Sequence, residues 1–120
     1  MIVVFDSGIW VSAMEFGGTP LEAVVTAFAQ DRFAVCDQID PQVRLGGGGA
    51  DLAFYWLDAL RVELRGTVTG FCRHPKDEPI LECAERAQAG CIVTGDRDLL
   101  SLGSYQGIRI VTAREYVEAR

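Results

Sequence analysis

A single histidine, His74, is all the imidazole in this chain of 120 residues, and no triad-like partner for it is identifiable. The four cysteines, Cys36, Cys72, Cys83 and Cys91, show neither finger-type pairing nor a redox dipeptide pattern. They are read as buried reduced thiols, packing as small hydrophobes. No apolar run approaches the roughly 20 residues that a membrane helix needs. The opening Met1-Ile2-Val3-Val4-Phe5-Asp6 lacks the basic region of a signal peptide and meets a carboxylate at once, so a cytoplasmic protein with no membrane attachment is expected. Positive charge is also scarce: 11 lysines and arginines stand against 17 acids, for a net charge of −6. That balance argues against strong non-specific attraction to nucleic acid. It leaves room for an enzyme that meets an anionic substrate through bound cations, and it favours a basic protein partner.

What is present is a globular composition, 49% apolar and 23% charged, at a length that fits one domain. Ile2 to Phe5, Arg32 to Cys36, Cys91 to Thr94 and Arg109 to Val111 are short apolar or β-branched runs and read as strands. A helix is expected after Asp6 with Ser7 as its cap, and another over residues 20 to 30, where Leu21, Val24, Val25 and Phe28 fall at helical spacing. Asp51 to Leu64 reads as a helix with a broad apolar face that includes Trp56, and Thr67 to Phe71 as a short strand or extended connector. Asp77 or Glu78 can cap a helix that has Pro79 in its first turn and ends at Gly90. Thr112-Ala113-Arg114-Glu115 is a capping box that starts a terminal helix. Strands alternating with helices predict an α/β domain with a mostly parallel sheet. Gly46 to Gly49 reads as a flexible linker; no Lys-Ser or Lys-Thr follows to make it a phosphate loop.

The chemistry lies in the acids. In Cys91-Ile92-Val93-Thr94-Gly95-Asp96-Arg97-Asp98-Leu99-Leu100 a strand ends, Gly95 permits a sharp turn, and Asp96 and Asp98 stand at the carboxyl edge where open α/β sheets bind ligands. Asp6 ends another strand, and Asp77 stands at the start of a helix that packs beside them. Each acid alone fits a helix cap, worth roughly 1 kcal/mol. Two carboxylates about 4 Å apart repel by roughly 4 kcal/mol at an effective dielectric near 20, so capping alone would not sustain a cluster. A divalent cation would. Oxygen-only ligands favour Mg²⁺ or Mn²⁺ over zinc, and such a site suits phosphodiester hydrolysis.

With these residues in place the chain resembles a PIN-domain protein, most closely the toxins of bacterial toxin-antitoxin systems. The resemblance is carried by Val4-Phe5-Asp6-Ser7, by Asp77 to Ala84, by Ile92 to Leu100 and by Tyr105 to Tyr116. It covers residues 1 to 45 and about 66 to 120. It implies a single PIN-like three-layer α/β/α domain over residues 1–120, with a central parallel sheet of four or five strands and a shortened glycine-rich segment near 46–49. It further implies a metal-dependent endoribonuclease acting on single-stranded RNA, commonly dimeric and restrained by a cognate antitoxin protein. Catalytic and metal-binding roles fall on Asp6, Asp77, Asp96 and Asp98, with Mg²⁺ or Mn²⁺ as cofactor, and Ser7 fits the hydroxyl residue that usually follows the first acid. Gly8 stands where the family often has asparagine, and Gln42 where it has a glutamate; Asp40 is the nearest other acid. The alternative implied by Gln42 and the shortened middle is a catalytically impaired scaffold that keeps its protein partner.

Among the remaining polar residues, Arg73, Lys76 and Arg97 flank the cleft and suit either phosphate contact or a solvated face. Trp10 and Trp56 read as core.

Overall fold

The computed structural model describes residues 1–36, 59–70 and 77–120. Asp40, Gln42, the glycine run, Trp56, Cys72, Arg73, His74 and Lys76 lie outside the described residues.

Two strands set the frame. β1 (Ile2–Phe5) and β4 (Cys91–Val93) are continuous apolar runs, and Val3, Val4, Ile92 and Val93 are wholly buried, as strands covered on both faces must be. They pair in parallel, Val3 with Cys91 and Phe5 with Val93, although 85 residues separate them in sequence (91 − 6) where one ends and the next begins. β2 (Arg32–Cys36) joins the far side of β1, and β3 (Leu60–Val62) joins β2. β6 (Ile108–Val111) lies parallel to β4, and β5 (Ser104–Tyr105) closes the edge antiparallel to β6. The sheet order is β3-β2-β1-β4-β6-β5, six strands among the described residues.

The helices are α1 (Ser7–Phe16), α2 (Gly18–Gln30), α3 (Glu78–Ala87), α4 (Arg97–Leu102) and α5 (Ala113–Glu118). Phe5 shows which lie on one face: its ring meets Trp10 of α1, Phe33 of β2 and Tyr116 of α5 edge-on, with centroids 5.6, 5.5 and 5.9 Å away. Cys83 of α3 hydrogen-bonds to Cys36, which is three residues along β2 from Phe33. An odd separation on a strand turns a side chain to the opposite face, so α3 covers the other side and the domain has three layers, α/β/α. Trp10 is fully buried, as a core residue, and Cys36, Cys83 and Cys91 are buried free thiols.

Several local expectations are corrected. The sheet is mixed, with six strands rather than four or five, because the short edge strands β3 and β5 join it. β3 falls inside the stretch expected to be helical up to Leu64; of the two alternatives for Thr67 to Phe71, the connector is the one found over the described residues 67–70. Asp6, not Ser7, occupies the N-cap of α1, and its side chain makes no capping bond. α2 starts two residues before Pro20, at Gly18. α3 ends at Ala87 with Gln88 left-handed at φ 55°, ψ 46°, so Gly90 is not its terminator. Gly90 instead makes room for Met1, whose Sδ would sit 2.3 Å from an added Cβ. The capping box at Thr112 and Glu115 forms as expected.

Two buried carboxylates fasten the periphery. Asp31 receives Arg120 at 2.8 Å, the amino group of Met1 at 3.1 Å and the Tyr116 hydroxyl. Glu82, 2% exposed, accepts the backbone N–H groups of Arg65, Gly66 and Thr67 at 2.5, 2.8 and 3.2 Å and Arg86 Nε at 2.7 Å. Burial by itself raises the Glu82 carboxyl, but these donors outweigh it and hold the group below the usual carboxylate range. A lowered folded-state value means that the stabilisation is present above the unfolded value of about 4.3 and is lost as pH falls through the folded one. Glu82→Gln is therefore expected to cost about 3 kcal/mol at neutral pH. Its melting temperature should also fall less steeply than the wild type's on acidification below about pH 4, which thermal denaturation across pH will show.

Candidate metal centre

β1 and β4 run parallel side by side, so the residues that follow them emerge together at the carboxyl edge of the sheet. Asp6 follows β1, and its backbone N–H continues the ladder to Val93 O at 2.9 Å. Thr94, Gly95 and Asp96 follow β4 and lead into α4. α3 must run back across the sheet to deliver the chain to the amino end of β4, which places its first residues at that same edge. Asp77 is the N-cap residue of α3.

Three of the four expected acids converge. Asp77, Asp96 and Asp98 each offer a carboxylate oxygen, and these oxygens all lie within 4.8 Å of one another. At such a separation each pair of charges repels by about 3 kcal/mol at an effective dielectric near 20, before solvent screening. Helix capping accounts for little of the cluster. Asp96 does cap α4, its Oδ1 accepting the Asp98 N–H at 2.8 Å, but Asp77 makes no side-chain capping bond.

Asp6 stands outside the trio. Its Oδ2 is turned to the Thr94 hydroxyl, which donates to it at 2.7 Å, and Ser7 Oγ approaches its Oδ1 at only 3.4 Å. Thr94 is wholly buried and its Oγ1 also accepts the Asp96 N–H at 3.0 Å. One hydroxyl therefore ties the first acid to the turn that carries two others. Thr94 was not among the residues expected to matter; the available signal was a hydroxyl at the end of an otherwise apolar buried strand, which must find partners there. Thr94→Val keeps the shape and removes both bonds, so a loss of about 1–2 kcal/mol in thermal denaturation is expected, since the Asp96 N–H loses its acceptor.

The fold has a solved counterpart. A chain in the crystal structure of VapBC2 from Rickettsia felis bound to a DNA fragment from their promoter matches with a TM-score of 0.58. The match covers 92% of this chain and 97% of that one, at 11% sequence identity. At that identity the likeness shows the fold and not the activity. No protein-family model and no curated protein matches the chain.

The VapBC2 likeness agrees with the three-layer α/β arrangement that the PIN resemblance implies. Within it, one expectation about glycine changes. Gly95 has no positive φ and open space around its Cβ position, so the turn before Asp96 does not require glycine. Gly8 likewise has nothing within 4 Å of an added Cβ, so the asparagine common in PIN proteins would find room there. Arg97 is exposed at the start of α4. Cys91 lies at the opposite, amino edge of β4, on a cleft of about 270 Å³ that Arg109 and Arg120 also line. Burial pushes its thiol up to about 11, which keeps it protonated and unreactive at neutral pH. No helix of the described residues is long and apolar enough to cross a membrane.

Proposed function

We propose that the chain is a Mg²⁺- or Mn²⁺-dependent endoribonuclease of the PIN toxin type, hydrolysing phosphodiester bonds of single-stranded RNA. The observation that carries this reading is the convergence of Asp77, Asp96 and Asp98 from two separate segments at the carboxyl edge of the sheet. The donor set fits the metal: among the described residues the ligands that converge are carboxylate oxygens, which suit Mg²⁺ and Mn²⁺. Such a cation, when bound, activates water and neutralises the charge that develops on phosphate.

The residues of the chain have distinct tasks. Asp77, Asp96 and Asp98 would hold the cation, their carboxylates supplying the negative field it needs. Asp96 does this while capping α4 through Oδ1, so the helix fixes its rotamer. Asp6, fixed by Thr94, stands beside the trio as a further ligand or as the acid that orients water. Removing the metal with EDTA should abolish cleavage of a fluorescent single-stranded RNA, and Mn²⁺ should restore it; cleavage that persists in EDTA would refute the reading.

An antitoxin partner is part of the proposal, supported by a neighbour that is itself a VapBC2 assembly on promoter DNA. A homodimer and a cytoplasmic location complete it. The second reading, an impaired scaffold that retains its partner, is favoured by the neutral amide at Gln42. Gln42→Glu should then raise Mn²⁺-dependent cleavage above that of the wild type.

A further inference from the structure

The carboxyl edge of the sheet carries more negative charge than one divalent cation offsets. Asp6, Asp77, Asp96 and Asp98 all stand there, and the chain as a whole is at −6. Every phosphate of an RNA strand adds a further negative charge. A polyanion that settles on this edge therefore needs positive charge beyond the metal.

Two arginines are placed to supply it. β4 and β6 are parallel neighbours, and the Thr94 N–H continues their ladder to Val111 O at 3.0 Å, so the chain leaves both strands at the same edge. After β4 it enters α4 at Arg97, and after β6 it enters α5 at Ala113, with Arg114 next. The Cα–Cβ bonds of a helix tilt toward its N-terminus, so both side chains lean back over that edge. Both are exposed.

Neither guanidinium is engaged inside the protein. Among the described residues Arg86 is held by Glu82 and Arg120 by Asp31, whereas the Arg97 and Arg114 side chains make no ion pair and no hydrogen bond. The acids beside them in sequence are occupied elsewhere. Asp96 caps α4 and joins Asp98 in the trio, and Glu115 closes the capping box by accepting the Thr112 N–H at 3.0 Å. Side chains one apart on a helix do not face each other in any case. Helix stability does not account for the two arginines either, because a first turn favours acids and disfavours cations. Each has the sign that its place in the helix selects against, with no internal partner in return.

We infer that Arg97 and Arg114 form a phosphate track: they hold the backbone phosphates that flank the scissile one, so that single-stranded RNA crosses the carboxyl ends of β4 and β6. The inference rests on the nuclease reading. Arg97 is then a phosphate contact and not a solvated residue, and Arg114, which no motif singled out, is its counterpart on α5. Contacts of this kind go to the backbone and carry no sequence information. They are made equally to bound substrate and transition state, so they act on KM and not on kcat.

Mn²⁺-dependent cleavage of a fluorescent single-stranded RNA by the full chain, measured across a range of KCl concentrations, tests this. Arg97→Gln and Arg114→Gln should each raise KM about fivefold at low salt and leave kcat within about twofold of the wild type. Each should also make the slope of log kcat/KM against log salt concentration shallower by about 0.7, the value for one phosphate contact on a single strand. Both variants should melt at or slightly above the wild-type temperature, since a cation leaves the first turn of a helix. Arg109→Gln removes the same charge from the opposite, amino edge of the sheet and should change neither KM nor slope. Unchanged KM and slope in either the Arg97 or the Arg114 variant, or an equal change in Arg109→Gln, would overturn the inference. If the wild type cleaves no RNA, the nuclease reading itself fails, and fluorescence anisotropy of the same RNA in Mn²⁺ decides the track alone. A salt slope of binding that falls in Arg97→Gln and Arg114→Gln but not in Arg109→Gln supports it; binding that is absent or unaltered overturns it.

Discussion

Asp96→Asn is expected to lower Mn²⁺-dependent cleavage of single-stranded RNA about 10³-fold, while the protein stays folded. Losing one anionic ligand removes several kcal/mol of stabilisation for the cation and for the charge it neutralises, and about 4 kcal/mol corresponds to that factor. The substitution isolates charge from structure. Asparagine caps helices as well as aspartate does, so the Oδ1 bond to the Asp98 N–H survives and α4 remains capped. A second consequence separates the metal-site reading from a purely structural one. Removing one of three mutually repelling carboxylates should leave the metal-free variant as stable as the wild type or more so, by up to a few degrees in melting temperature. A cap-only role predicts no such gain. Equal cleavage by Asp96→Asn and wild type would exclude Asp96 from the reaction.

Phe5→Ala should be the most damaging substitution for stability, costing about 4 kcal/mol in chemical denaturation. Phe5 is 1% exposed and sits where three elements meet: Trp10, Phe33 and Tyr116 all present ring edges or faces to it within 5.9 Å. Truncation leaves a cavity that the sheet on one side and two helices on the other cannot close, and it also removes three aromatic pairs worth about 0.5–1.5 kcal/mol each beyond burial. The consequence reaches the site, because Phe5 directly precedes Asp6. A loss below about 1 kcal/mol would show that this aromatic cluster does not hold the layer together.

The elements that position the site were legible because their signals are local. β1 and β4 are unbroken apolar runs, and Thr112 and Glu115 stand at capping-box spacing. The elements that were not legible are decided by pairing. Leu60-Arg61-Val62 continues an apolar pattern that suits a helix, and only its register against Ala34 to Cys36 makes it a strand. β5 has two residues, too few for any period; it exists because Gln106 and Gly107, at φ 51° and 79°, close a two-residue hairpin that pairs Tyr105 with Ile108. Gln-Gly is a weaker hairpin signal than Asn-Gly, and the turn passed unmarked.

The site divides in the same way. Residue type and edge position singled out Asp77, Asp96 and Asp98, and the fold brings them together. Asp6 was expected among them, but the Thr94 hydroxyl claims its Oδ2. That bond crosses 88 residues of sequence, and no spacing rule reaches so far. Glu82 was hidden for the same reason: its partners are backbone amides 15 to 17 residues away, which leave no mark in side-chain composition.

The claim on which the functional account depends is that these carboxylates hold a divalent cation, and titration calorimetry with Mn²⁺ tests it directly. Wild-type protein should bind Mn²⁺ saturably, and Asp96→Asn, equally folded, should bind it at least about tenfold more weakly. No saturable binding by the wild type, or the same affinity in both proteins, would contradict the account.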